Sequence, residues 1–177
     1  MKKKRFLSML LVLCIIFAAL PADLFAAGSM PFTDVKETDL YYDAVKYVHE
    51  NGMMSGTGMN LFSPDATTTR GMIVTILHRI EGEIPNFTGK FKDVPSGKYY
   101  SDAVEWASAN GIVGGYGNGK FGPDDTITRE QMVTILYRYA QYKGYSTAIG
   151  GSISSFSDGN QVSPYAYEAM SWAIGLG

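Results

Sequence analysis

The sequence predicts an all-α fold assembled from tandem helix–loop–helix units. Three observations predict it: a block of the chain recurs at a fixed offset of 59 residues, apolar residues within each copy keep helical spacing, and capping residues stand where that spacing starts and stops. Phe32-x-Asp34-Val35 returns as Phe91-x-Asp93-Val94, and Asp43-Ala44-Val45 as Asp102-Ala103-Val104. Phe62-x-Pro64-Asp65 returns as Phe121-x-Pro123-Asp124, and Thr69-Arg70 as Thr128-Arg129. Between residues 32–81 and 91–140, 22 of 50 positions are identical without a gap. A third copy starts at Phe156-x-Asp158, carries one inserted residue, and corresponds to the first half of the block only.

Each full copy opens with a helix, expected over 41–51 and 100–110. Val45 and Val48, or Val104 and Ala107, share a face of it. Gly52 and Gly111 follow where a left-handed C-terminal cap is wanted. The Gly-rich loops 53–66 and 112–125 come next; their Phe anchors the loop on the helices, and Pro-Asp makes a turn. Thr69 and Thr128 then suit N-caps, and Gln131 completes a capping box with Thr128. The second helix carries an apolar stripe of Met72, Ile73, Ile76, Leu77 and Ile80, repeated as Met132, Val133, Ile135, Leu136 and Tyr139. Linkers at 82–90 and 141–155 carry Gly, Pro and Ser, and Ser163-Pro164 predicts a capped helix running to Ile174. Helices of about three turns cannot bury such stripes alone, so the copies are expected to pack on one another.

Lys2, Lys3, Lys4 and Arg5, the uncharged run 6–20 and the small residues Ala26-Ala27-Gly28 have the pattern of a secretory signal peptide over 1–26, with cleavage up to residue 28. The run is too short for a membrane span, so none is expected in the mature chain. Removing it leaves 11 basic against 16 acidic residues, a net charge of −5, and takes away the only cysteine. An acidic surface excludes nucleic acid as a partner, because displacing counterions from phosphates needs clustered Lys and Arg. Without cysteine there is no disulfide framework, thiol nucleophile or cysteine-based metal site. His49 and His78 stand singly, so neither a metal centre nor a histidine-based catalytic triad is expected. The loop Gly115-Tyr116-Gly117-Asn118-Gly119 follows no strand and lacks the Lys-Ser/Thr ending of a phosphate loop.

The ordered motifs, from Phe-x-Asp-Val and Tyr-Tyr-x-Asp-Ala-Val through Asn-Gly to Phe-x-Pro-Asp-x-Thr-x-Thr-Arg and Val-Thr-Ile-Leu-x-Arg, resemble the S-layer homology repeat of bacterial cell-surface proteins across residues 32–177. The resemblance implies repeats at 29–90, 91–150 and, as a first half only, 151–177, packed as an incomplete pseudo-threefold helical bundle. It implies a protein of the cell wall or S-layer, attached non-covalently to a secondary cell-wall polysaccharide on peptidoglycan, commonly through pyruvylated sugars. No cofactor, metal or catalytic residue is implied.

By the same resemblance the ligand grooves lie between neighbouring repeats and use Arg129, Tyr99, Asp93, Gly115, Arg70, Asp34 and Gly56. Arg129 with Tyr99 stands first, because repeat 1 departs from the family pattern with Leu40 at the aromatic position and Gly71-Met72 after its arginine. Glu130-Gln131 in repeat 2 departs as well. A guanidinium offers a planar, permanently charged fork to a ketal carboxylate, and tyrosine a flat face to sugar C–H groups. The plain alternative for the arginines is local pairing with Asp65 or Asp124; for Asp34 and Asp93 it is capping of the turn after Phe. Two further functions stay open: self-association through the incomplete third repeat, in a surface array or in trans, and the anchor part of a truncated exported enzyme.

Overall fold

The computed structural model describes residues 30–176 apart from 84, 86, 87 and 149, so the expected export signal lies outside the described residues. The described residues form five α-helices: α1 (Tyr42–Glu50), α2 (Arg70–Glu81), α3 (Ser101–Ala109), α4 (Arg129–Tyr142) and α5 (Tyr167–Gly175). Short 3-10 turns stand at Ile153–Ser155, Gly159–Gln161 and Pro164–Ala166. Among the described residues there are only isolated bridges and no strand, and no helix is long and apolar enough to cross a membrane. The fold is all-α.

Local chemistry sets the helix ends. Thr69 Oγ1 accepts from the Met72 N–H, and Thr128 with Gln131 forms a reciprocal capping box. Gly52 and Gly111 take φ of 69° and 71°, which an L side chain resists. Past each, the chain bonds back: the Met53 N–H to Val48 O at 2.9 Å and the Ile112 N–H to Ala107 O at 2.8 Å, closing Schellman motifs on α1 and α3. Two expectations fail at ends. The α4 helix runs on through Gln141 to Tyr142, into the stretch expected to be linker, and Gly144 closes it. Ser163 is not a side-chain cap, because its hydroxyl and its N–H both turn to Glu130; Pro164 then opens a 3-10 turn instead of an α-helix.

The helices pair across repeats: α2 packs on α3, and α4 on α5. The main core joins Val74 and Leu77 of α2 to Val104, Trp106 and Ala107 of α3, with Phe91, Ile112 and Phe121 around them. The pairing also corrects the expected stripe. The most buried face of α2 is Gly71, Val74, Thr75 and Leu77, whereas Ile80, like Leu136 of α4, is exposed. A smaller cluster of Phe32, Val35 and Val45 holds α1.

Candidate ligand groove between repeats

The first turn of α2 is seated on the loop of the following repeat. The Arg70 N–H donates to Asp125 O at 3.0 Å and the Gly71 N–H to Pro123 O at 2.8 Å, so two of the four unpaired amides of this helix end are satisfied by the 112–125 loop. The Arg70 guanidinium follows the same path. Its Nε donates to Phe121 O at 2.9 Å and Nη2 to Gly114 O at 3.3 Å, while Cζ lies 4.8 Å from the Tyr116 ring centre and 4.6 Å from that of Phe121. Only 6% of Arg70 is exposed. Neither Arg70 nor Arg129 pairs with Asp65 or Asp124; the single ion pair among the described residues is Lys143–Glu81 at 3.0 Å.

Arg70 forms one wall of a cavity of about 330 Å³. Gly114, Gly115 and Tyr116 of the loop, Gln131, Thr134, Ile135 and Arg138 of α4, and Tyr165 of the third repeat complete it. A second cavity, of about 360 Å³, is its counterpart one offset earlier: Ser55, Gly56 and Thr57 of the first loop, Met72, Thr75, Ile76 and Arg79 of α2, and Tyr99 of the next repeat. The chain thus builds the same groove twice from loop n, the second helix of repeat n and the aromatic residue of repeat n+1.

The structure divides the expected site residues between these grooves and elsewhere. Gly115 and Arg70 meet in one groove, where Tyr165, not among the expected residues, joins them; Gly56 and Tyr99 meet in the other. Arg129 lines neither. It is exposed at a wider cavity of about 940 Å³ with Val133, Phe156, Asp158, Met170 and Ile174, so it does not share a cavity with Tyr99. Gly56 and Gly115 allow close packing of the loop: a Cβ would come 2.4 Å from Leu61 O or Lys120 O, and 2.7 Å from the Phe32 or Phe91 ring.

Asp34 and Asp93 cap the loop backbone. Asp34 accepts from the Phe62 and Ser63 N–H groups at 2.9 and 2.7 Å, and Asp93 from those of Phe121 and Gly122, both at 2.8 Å. Burial pushes the Asp93 carboxyl up, but the donated amides outweigh it and hold it below the usual carboxylate range. For Asp34 the Phe62 amide is the main cause of the same lowering.

Arg138 escaped the sequence reading as a site residue. The signal was present: Gln131, Thr134, Ile135 and Arg138 follow the i, i+3, i+4, i+7 spacing of one helix face. No group of three or more His, Cys, Asp or Glu side chains able to hold a metal occurs among the described residues.

Residues 31–71 and 90–133 match the S-layer homology domain. The chain is 29% identical to an endoglucanase of Bacillus sp. (strain KSM-635) over 98% of its own length and 19% of that relative. It is 28% identical to the surface-layer 125 kDa protein of Lysinibacillus sphaericus over 76% of this chain and 11% of the relative. With the cellulosome-anchoring protein of Acetivibrio thermocellus the identity is 29%, over 81% of this chain and 33% of the relative. The chain therefore spans a third or less of the length of these relatives. Two matched segments at the 59-residue offset, the all-α helix–loop–helix architecture and surface-protein relatives agree: the chain belongs to the S-layer homology family.

Proposed function

We propose that the chain is a cell-envelope anchoring module, holding a secreted protein on the bacterial wall by non-covalent binding of a secondary cell-wall polysaccharide. One observation carries the reading. The segment this chain matches occurs in an endoglucanase, a surface-layer protein and a cellulosome-anchoring protein, and it is a minor part of each. A segment common to proteins of such different named roles, two of them surface-layer and anchoring proteins by name, is read as the part that attaches them and not as the chemistry of any one of them. Anchoring without catalysis in this chain is the corresponding proposal. The groove holding Arg70, Gly115, Tyr116 and Tyr165 supports the polymer as ligand, because fixed cationic and aromatic side chains suit an acidic sugar.

Retention of the chain on purified wall sacculi, before and after chemical stripping of the polysaccharide, tests this. Sedimentation with intact sacculi and loss on stripped ones is expected; equal retention on both would overturn it.

One observation favours a second reading, self-association at the third repeat. Phe156 is 53% exposed, whereas its counterparts Phe32 and Phe91 are 5% and 6% exposed, and it stands beside Arg129 in the 940 Å³ cavity. Concentration-dependent sedimentation that Phe156→Ser abolishes would support this reading, and a strict monomer at all concentrations would exclude it.

A further inference from the structure

Phe121 is gripped at three points. Its N–H donates to Asp93 Oδ1 at 2.8 Å, its carbonyl accepts from Arg70 Nε at 2.9 Å, and its ring centre lies 5.6 Å from that of Phe91. The acid and the phenylalanine come from one Phe-x-Asp motif and the arginine from the second helix of the repeat before it. Together they hold the aromatic residue of the Phe-x-Pro-Asp turn by its backbone, each charge serving one neutral group through a charge-assisted bond.

The same three side chains meet again with no such turn between them. The 59-residue offset carries Arg70 to Arg129, and the third Phe-x-Asp motif supplies Phe156 and Asp158. All three line the cavity of about 940 Å³. Neither Arg129 nor Asp158 makes a side-chain hydrogen bond or ion pair among the described residues, and both are exposed, as is Phe156 where Phe91 is buried. Glu130, the other charged residue of the lining, is already engaged by Ser163 and Tyr165. Val133, Met170 and Ile174 add apolar walls. A free cation and a free anion beside an apolar wall suit a polypeptide, whose backbone offers a carbonyl to the one and an amide to the other.

The chain's own two turns are already taken. Asp34 holds the Phe62 N–H and Asp93 that of Phe121, whose side chain is fully buried, so a second copy has no turn to lend without opening one of its repeats. We propose that the cavity of the third repeat is a receptor for a Phe-x-Pro-Asp turn carried by a different polypeptide, with Arg129 on the carbonyl of its aromatic residue, Asp158 on the amide and Phe156 against the ring. One contact of the internal junction has no equivalent. The Gly71 N–H reaches Pro123 O at 2.8 Å where a Cβ would collide with that oxygen, and Glu130 occupies the corresponding position, so the grip is confined to the aromatic residue. The inference goes beyond wall anchoring and shares with the self-association reading only its place in the fold.

Fluorescence anisotropy of a labelled synthetic peptide of residues 112–128, titrated with the full chain, tests this. One peptide is expected to bind per chain, and the same peptide with Phe121→Ala at least about tenfold more weakly. Arg129→Gln and Asp158→Ala in the chain should each weaken binding by a similar factor with unchanged circular dichroism, and Arg129→Lys should keep part of it. No binding at millimolar peptide, equal binding of the two peptides, or undiminished binding in either Arg129→Gln or Asp158→Ala would overturn the assignment. A concentration-dependent dimer of the chain that the peptide displaces would give the cavity to a second copy and overturn the partner assigned. Because the readout is peptide binding, retention on wall sacculi bears on the anchoring proposal alone.

Discussion

Asp93 shows how a residue shared by the repeats works as part of the scaffold. Its two oxygens accept from the Phe121 and Gly122 amides, and those same residues shape the loop that holds Arg70. Hydrogen bonds to a charged acceptor contribute roughly 1.5–3 kcal/mol, so Asp93→Ala is expected to cost about 2 kcal/mol in urea denaturation. The pH dependence follows from the direction of the shift. Unfolded carboxyls titrate near 4, and Asp93, with Glu105 and Glu130, is held lower in the folded chain. Their stabilisation is complete above about pH 5 and is lost as pH falls through the folded-state values. Asp93→Asn should therefore flatten the acid limb of a stability-versus-pH curve, and a curve parallel to wild type would refute the assignment. Side-chain identity gave no warning of where the two Thr-Arg arginines would go. Arg70 has a following loop whose carbonyls, 44 and 51 residues on, receive it, and Arg129 opens onto a cavity, a difference made far downstream of each motif and not within it.

At the scale of the element, caps were legible and faces were not. Thr69, Thr128, Gly52 and Gly111 act through bonds reaching at most five residues, so local sequence states the outcome. Which face of α2 is buried depends on α3, a different repeat, and so Val74 went unrecognised while Ile80 was given a place it does not hold. Gly71 belongs to the same junction. A Cβ there would lie 2.8 Å from Pro123 O and 3.2 Å from Tyr100 Cδ1, a backbone oxygen and a core ring that cannot both yield. Gly71→Ala gains helix propensity of roughly 1 kcal/mol yet is expected to destabilise the protein by about 1–2 kcal/mol net, because strain from overpacking runs to about 1–3 kcal/mol. Equilibrium unfolding checks the sign; a stabilised variant would mean that α2 and the loop are free to separate.

For the whole molecule, repetition in sequence does not produce repetition in stability. Tyr100 is 4% exposed and its counterpart Tyr41 is 38% exposed; α3 is clamped by α2, while α1 rests on the small Phe32–Val35–Val45 cluster and makes no comparable helix contact among the described residues. Val45 and Val104 therefore form a controlled pair, the same residue at the same place in the repeat, both buried but in cores of different size. A cavity costs most where the surroundings are held rigidly and cannot collapse into it. Val104→Ala is expected to cost about 2–3 kcal/mol and Val45→Ala about 1 kcal/mol, measured by urea denaturation on the same chain. Local opening should follow the same gradient, with α1 amides exchanging with solvent through smaller openings than those of α3. Equal costs at the two valines, or equal exchange protection of the two helices, would mean that the small cluster is as tightly packed as the main one. A steep difference would place the rigid part of the molecule at the α2–α3 junction, next to the groove that carries Arg70 and Arg138, leaving α1 and its small cluster as the loosely held flank.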